Sequence, residues 1–133
     1  MAIFIDSSVF CAYANVRDVH HKNARKIIED IISGKHENGI TTDYVFDETV
    51  TVIRRKANSE TAIEIGKFLL DSEIFIAKID SLSFQKSWEL FQANEMSFTD
   101  CSNIAFMNLF DISKIATFDK GFKNIKGLQV IEN

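Results

Sequence analysis

Four carboxylates, Asp6, Glu48, Asp100 and Asp119, stand where an open α/β sheet can present chemistry. Asp6 ends the apolar run Ile3-Phe4-Ile5, and Asp119 follows Ile115-Ala116-Thr117-Phe118. Both runs are too short for helices and read as buried strands. Glu48 lies in a helix that Thr42 or Asp43 can cap, and Asp100 sits beside the Ser97-Phe98-Thr99 cap region of another. In a parallel sheet, strand ends and the first turns of the helices share one edge, and ligands bind just beyond it. The four acids can then converge in one crevice.

Convergence has a physical consequence. Two carboxylates about 4 Å apart repel by roughly 4 kcal/mol at an effective dielectric of about 20. Without a cation, one of them takes up a proton instead. A ligand set of oxygens with no His or Cys favours Mg²⁺ or Mn²⁺ over Zn²⁺. Each acid also has a plainer reading. Asp6 can cap a helix, Asp100 can be a favourable charge in a first turn, Glu48 can be solvated, and Asp119 before Lys120-Gly121 can be a turn acid. The joint placement is what argues for a site.

The elements that must position these acids follow from pattern. Ser7 to Tyr13 reads as a short buried helix after the first strand. A second helix from His20 carries Ala24, Ile27, Ile28, Ile31 and Ile32 at helical spacing, and Ser33-Gly34 ends it. Glu37-Asn38-Gly39 reads as a turn into a brief strand, Ile40-Thr41. The Glu48 helix has its stripe at Val45, Phe46, Thr49, Val50 and Ile53. Another opens at Ser59 with Ala62, Ile63, Ile65, Phe68 and Leu69 as its buried face. Ile74 to Ile79 is the clearest strand. Ser81 or Ser83 then starts a helix through Trp88, Leu90 and Phe91, and Ser97 or Thr99 caps one carrying Ile104, Ala105, Met107 and Leu109. Leu128 to Ile131 reads as an edge strand. Strands alternating with helices specify βαβ units and a parallel sheet covered on both faces. The expectation is one α/β/α sandwich over residues 1–133, with no repeat or linker.

Bulk properties narrow the class. At 46% hydrophobic and 26% charged, the 133-residue chain is a globular domain rather than a disordered one. A net charge of −4 argues against a protein that simply coats nucleic acid, which needs a basic face. Cys11 and Cys101 lack metal-type spacing and read as reduced core thiols. With no leader-like segment and no run of 18 apolar residues, the expected setting is cytoplasmic, without a membrane span.

Taken together, Ile3-Phe4-Ile5-Asp6-Ser7-Ser8, Glu48, Phe98-Thr99-Asp100 with Ile104-Ala105, and Thr117-Phe118-Asp119 with Phe122 resemble the PIN-domain pattern, closest in flavour to the VapC-type toxin ribonucleases. The resemblance covers nearly the whole chain in order. It implies a metal-dependent endoribonuclease on a parallel-sheet sandwich, often dimeric, that is the toxin of a toxin–antitoxin pair. Asp6, Glu48, Asp100 and Asp119 would be its acidic quartet, holding Mg²⁺ or Mn²⁺, with Ser8 supporting the first acid and Thr117 the last. Asp47 competes with Glu48, but neighbours on a helix diverge by about 100°, so only one can face the crevice. Family position favours Glu48. The alternatives are an RNA-processing PIN nuclease without a toxin role and an inactive PIN scaffold that binds a partner.

Other residues carry weaker signals. Lys120, Lys123 and Lys126 could touch RNA phosphates or simply be solvated. Arg54-Arg55-Lys56 suits the C-terminal pole of its helix. His20-His21 reads as a surface pair, since adjacent helical residues diverge. Phe84, Trp88 and Phe91 read as core or dimer interface, and exposed Phe would suit an antitoxin. Cys11 lacks a basic partner for thiol catalysis, and Ser7-Ser8 lack the glycine-flanked elbow of an α/β hydrolase. A phospho-accepting receiver domain would need paired acids after the first strand, where this chain has one.

Overall fold

The computed structural model describes residues 1–133. Its strands are β1 (Ala2–Ile5), β2 (Asn38–Thr42), β3 (Phe75–Ala77), β4 (Lys114–Ala116) and β5 (Gln129–Ile131), all parallel, in the order β3-β2-β1-β4-β5. The helices are α1 (Ser7–Ala14), α2 (His21–Ile32), α3 (Asp43–Lys56), α4 (Ser59–Asp71), α5 (Ser81–Ala93) and α6 (Phe98–Leu109), and Lys120–Asn124 form a short 3-10 helix. From β1 the chain steps to β2 and β3 on one side, then crosses to β4 and β5 on the other. Right-handed crossovers therefore put α1–α4 on one face and α5–α6 on the other. Most helix contacts follow this division: α1 packs on α2 and α3, α3 on α4, and α5 on α6, while α3 also meets α6 across it. The expected sandwich is the observed fold.

The centre is β1, with Ile3, Phe4 and Ile5 at most 1% exposed. Both faces of this strand are covered, so its sequence is a continuous apolar run rather than an alternating one. Register matters at its end. Ile5 lies opposite Ala116, and the next amide, Asp6 N–H, still donates to Ala116 O at 3.0 Å. That bond holds the acid against the end of β4, where the chain order reverses and the sheet opens a crevice.

Several expectations change. Asn38 and Gly39 belong to β2 rather than to a turn. A Cβ on Gly39 would lie 2.9 Å from Ile31 Cγ2 and 3.0 Å from Ile5 Cδ1, so α2 packs directly on the bare backbone there. The run Ile74–Ile79 yields only a three-residue strand, because β3 is an outer strand paired on one side and Phe75 points to solvent. The fourth strand ends at Ala116, two residues earlier than the apolar run. As expected, α5 starts at Ser81, and Asp80 before it is the cap, accepting from Ser83 N–H at 2.8 Å. Ile32, Ile63 and Leu109, assigned to buried faces, are exposed at the margins of their stripes. Phe84, Trp88 and Phe91 are exposed as well. The buried face of α5 carries Ser83 and Ser87, small residues that leave the aromatic side turned outward.

Candidate acidic site at the carboxyl edge

Asp6 occupies the N-cap position of α1 with extended backbone, yet its side chain caps nothing. Its oxygens are engaged elsewhere. Oδ2 accepts from Ser8 Oγ at 2.9 Å and from Thr117 Oγ1 at 2.8 Å, and Oδ1 accepts from Asn103 Nδ2 at 3.3 Å. The carboxylate is buried at 3% exposure. A buried acid with three side-chain donors and no cation partner is not explained by capping. The Thr117 hydroxyl also accepts from Asp119 N–H at 3.0 Å, so it fixes both the first acid and the backbone of the last.

Thr42 caps α3 by accepting from Val45 N–H at 3.2 Å, which starts the helix at the carboxyl edge. Glu48 then sits within the second turn and receives a hydrogen bond from Ser7 Oγ. The adjacent Asp47 points to solvent and accepts from Thr51 Oγ1 at 3.3 Å. The 100° step between neighbours therefore sends Glu48 toward α1 and Asp47 away. On the other face, Ser97 caps α6 by accepting from Asp100 N–H at 3.1 Å, leaving the half-buried Asp100 in the first turn. Asp119 is exposed and accepts from Gly121 N–H at 2.9 Å as it starts the 3-10 helix.

Like charge couples Asp100 to each of the other three acids. Burial, then Asp6 and Asp119, and to a smaller degree Glu48, push the Asp100 carboxyl up to about 7, while Ser97 pulls it down. Asp6 is also raised, chiefly by burial and in part by Glu48, against the opposing pull of Thr117 and Ser8. None of the six ion pairs in the molecule involves these four residues. No three His, Cys, Asp or Glu side chains are gathered tightly enough to hold an ion as they stand. The donor chemistry nevertheless fits a hard divalent cation: carboxylate oxygens, raised pKa values that positive charge would relieve, and no soft ligand.

Two residues at this site escaped the sequence reading. Asn103 is fully buried, donates to Asp6, and leaves its own Oδ1 without a hydrogen-bond partner. The available signal was its place three residues after Asp100, one helical turn along the same face of α6. Ser7 starts α1, and its link to Glu48 spans 41 residues, beyond the reach of any local pattern. Among the candidate cations, Lys120 is exposed directly after Asp119, whereas Lys123 pairs with Glu132 at 3.0 Å. Arg54, Arg55 and Lys56 sit at the far end of α3 from Thr42, where they complement the helix pole. Burial, with Glu48 and Asp6 nearby, pushes the Cys11 thiol up to about 11, which removes it as a thiolate nucleophile at neutral pH.

Comparison with known proteins agrees with this architecture. The PIN-domain family model matches residues 3–128. The 23S rRNA-specific endonuclease VapC20 of Mycobacterium tuberculosis is 24% identical over 123 residues, covering 90% of this chain and 91% of that one. Its crystal structure, described as that of a sarcin-ricin loop cleaving toxin, superposes with a TM-score of 0.85 at 22% identity, over 98% of this chain and 99% of the other. VapBC2 of Rickettsia felis, solved bound to a DNA fragment from its promoter, has a TM-score of 0.73 at 12% identity, with 98% of each chain covered. With the family pattern running from the first strand to the edge of the last, the chain belongs to the PIN-domain family.

Proposed function

We propose that this protein is a metal-dependent endoribonuclease that hydrolyses RNA phosphodiester bonds and acts as the toxin of a cytoplasmic toxin–antitoxin pair. The observation that carries the reading is the carboxylate quartet at the β1–β4 crevice, unmatched by any Lys or Arg, with Asp100 driven up to about 7. The endonuclease and toxin named among the relatives, and the toxin–antitoxin complexes among the structural neighbours, support the same reading.

Asp6 and Asp100 would hold Mg²⁺ or Mn²⁺, with Glu48 and Asp119 as the further oxygen ligands. When bound, such a cation would neutralise charge at the phosphate and lower the pKa of a water. Ser8, Thr117 and Asn103 lock the Asp6 carboxylate in one orientation, so no reordering is needed when substrate arrives. Ser7 does the same for Glu48. Lys120, on the rim beside Asp119, meets a phosphate flanking the cut, and Lys123 can join it by exchanging Glu132 for RNA. The exposed aromatic residues Phe84, Trp88 and Phe91 are suited to a protein partner, either an antitoxin or a second copy in a homodimer.

Thermal unfolding in EDTA and in millimolar Mg²⁺ or Mn²⁺ tests the site, paired with cleavage of RNA. Saturation at about 100 times Kd stabilises the native state by about 2.7 kcal/mol. Wild type should gain that increment and cleave RNA, and Asp6→Asn should lose both. A protein that neither responds to metal nor cleaves RNA would refute the reading.

A further inference from the structure

His20 and Phe118 form a flat pair beside the acids. Their ring centroids are 4.4 Å apart and their planes are 6° from parallel. Phe118 is half-buried against the core, and its N–H donates to Ser8 Oγ at 3.0 Å, the same hydroxyl that donates to Asp6. The pair is therefore one hydrogen-bonded residue away from the buried carboxylate. His20 is exposed, and Phe118 covers one face of its ring.

The two adjacent histidines divide the work of holding this platform. The His21 ring Nδ1 bonds to Ala12 O at 2.8 Å, tying the start of α2 to α1. Asp18 Oδ1 accepts from His20 N–H at 2.8 Å and sets the backbone from which the outer ring projects. His20 is the N-cap residue of α2 but its side chain makes no cap hydrogen bond, so the ring is free to lie on Phe118. Lys120, two residues past Phe118, adds an exposed cation on the same rim.

We propose that the His20–Phe118 pair is a nucleobase-stacking subsite that positions one base of single-stranded RNA next to the phosphate cleaved at the acids. This deepens the ribonuclease reading and rests on it. Every base has a π face, so a flat ring of this kind grips RNA without reading its sequence. A single base on an aromatic ring contributes enough that its loss weakens binding by about tenfold.

The test uses short single-stranded oligoribonucleotides carrying 2-aminopurine at each position in turn, with wild type, His20→Ala, His20→Phe, Phe118→Leu and Asp6→Asn. One position should be quenched on binding wild type in EDTA. His20→Ala should lose that quench and lower kcat/KM about tenfold, mainly through KM, with an unchanged melting temperature. His20→Phe should restore both, and Phe118→Leu should weaken them. An abasic nucleotide at the quenched position should erase the difference between wild type and His20→Ala.

If His20→Ala keeps the quench and the rate while Asp6→Asn stops cleavage, the nuclease reading stands and the subsite is wrong. If His20→Ala loses stability and activity alike on normal and abasic RNA, the ring is merely packing and the subsite is again wrong. If wild type neither binds nor cleaves RNA, both readings fall together.

Discussion

At the amino edge of the sheet, Lys114 Nζ meets Glu37 Oε1 at 2.7 Å, joining the start of β4 to the residue before β2. At the carboxyl edge, like charge couples Asp100 to Asp6, Asp119 and Glu48, and none of these acids is paired with a Lys or Arg. The pairing shows in opposite pKa shifts. The hydrogen bond from Lys114 holds Glu37 below its ordinary value, whereas burial and like charge hold Asp6 and Asp100 above theirs. The packing around Gly39 near the amino edge is equally closed, while Asn103 at the carboxyl edge keeps a buried oxygen without a partner. One edge is arranged for stability. The other holds charge that packing does not explain, the pattern found where proteins bind and catalyse.

The sharpest way to break this contrast is Asp6→Asn. RNA cleavage should fall by about 10²–10³-fold, the scale of losing one preorganised electrostatic group. In EDTA the variant should melt close to wild type, because relief of a buried like charge offsets the hydrogen bonds that an amide nitrogen cannot accept. A melting temperature well below wild type would make Asp6 a structural residue. Asn103→Ala should be milder, lowering metal affinity and cleavage by about 10–100-fold through the loosened Asp6 carboxylate. Isothermal titration with Mn²⁺ and a cleavage time course measure the two effects.

The amino edge should respond in the other currency. Gly39→Ala forces Ile31 and Ile5 apart and should cost about 1–3 kcal/mol in urea unfolding, while kcat of the folded fraction stays unchanged. The smallest effect is in the pH dependence. Asp100 keeps its proton up to about 7 when folded and releases it near 3.8 when unfolded, so between these values the folded chain binds more protons. In EDTA this contribution to stability is full below pH 3.8 and is lost as pH rises toward 7. Asp100→Asn should flatten that fall in a series of melting curves. An unchanged slope would mean that burial and neighbouring acids do not act on Asp100 as described.

Much of the architecture was legible because it is local. The unbroken apolar run of Ile3-Phe4-Ile5 announces a doubly covered strand, and Ser33-Gly34 ends α2 where the stripe stops, with Gly34 at φ 82°. Edge effects were less legible. Ile74–Ile79 has strand-like residues, but pairing on one side only leaves three of them in the ladder. The aromatic spacing of α5 likewise looks like a core stripe until Ser83 and Ser87 take the inward face. Which side of a helix is buried depends on the neighbour that reaches it.

By itself the sequence determined the order and type of the elements, and so placed Asp6 and Asp119 after strands and Glu48 and Asp100 early in helices. Those choices depend on apolar periodicity and caps, which act over a few residues. Only the tertiary structure decided how the side chains meet. Thr117 reaches Asp6 across 111 residues, Asn103 across 97, and Ser7 reaches Glu48 across 41. Those contacts exist because β1 lies between β2 and β4, with the helices that follow folded over its carboxyl end. A strand order is a property of the whole packed sheet, and no local pattern carries it.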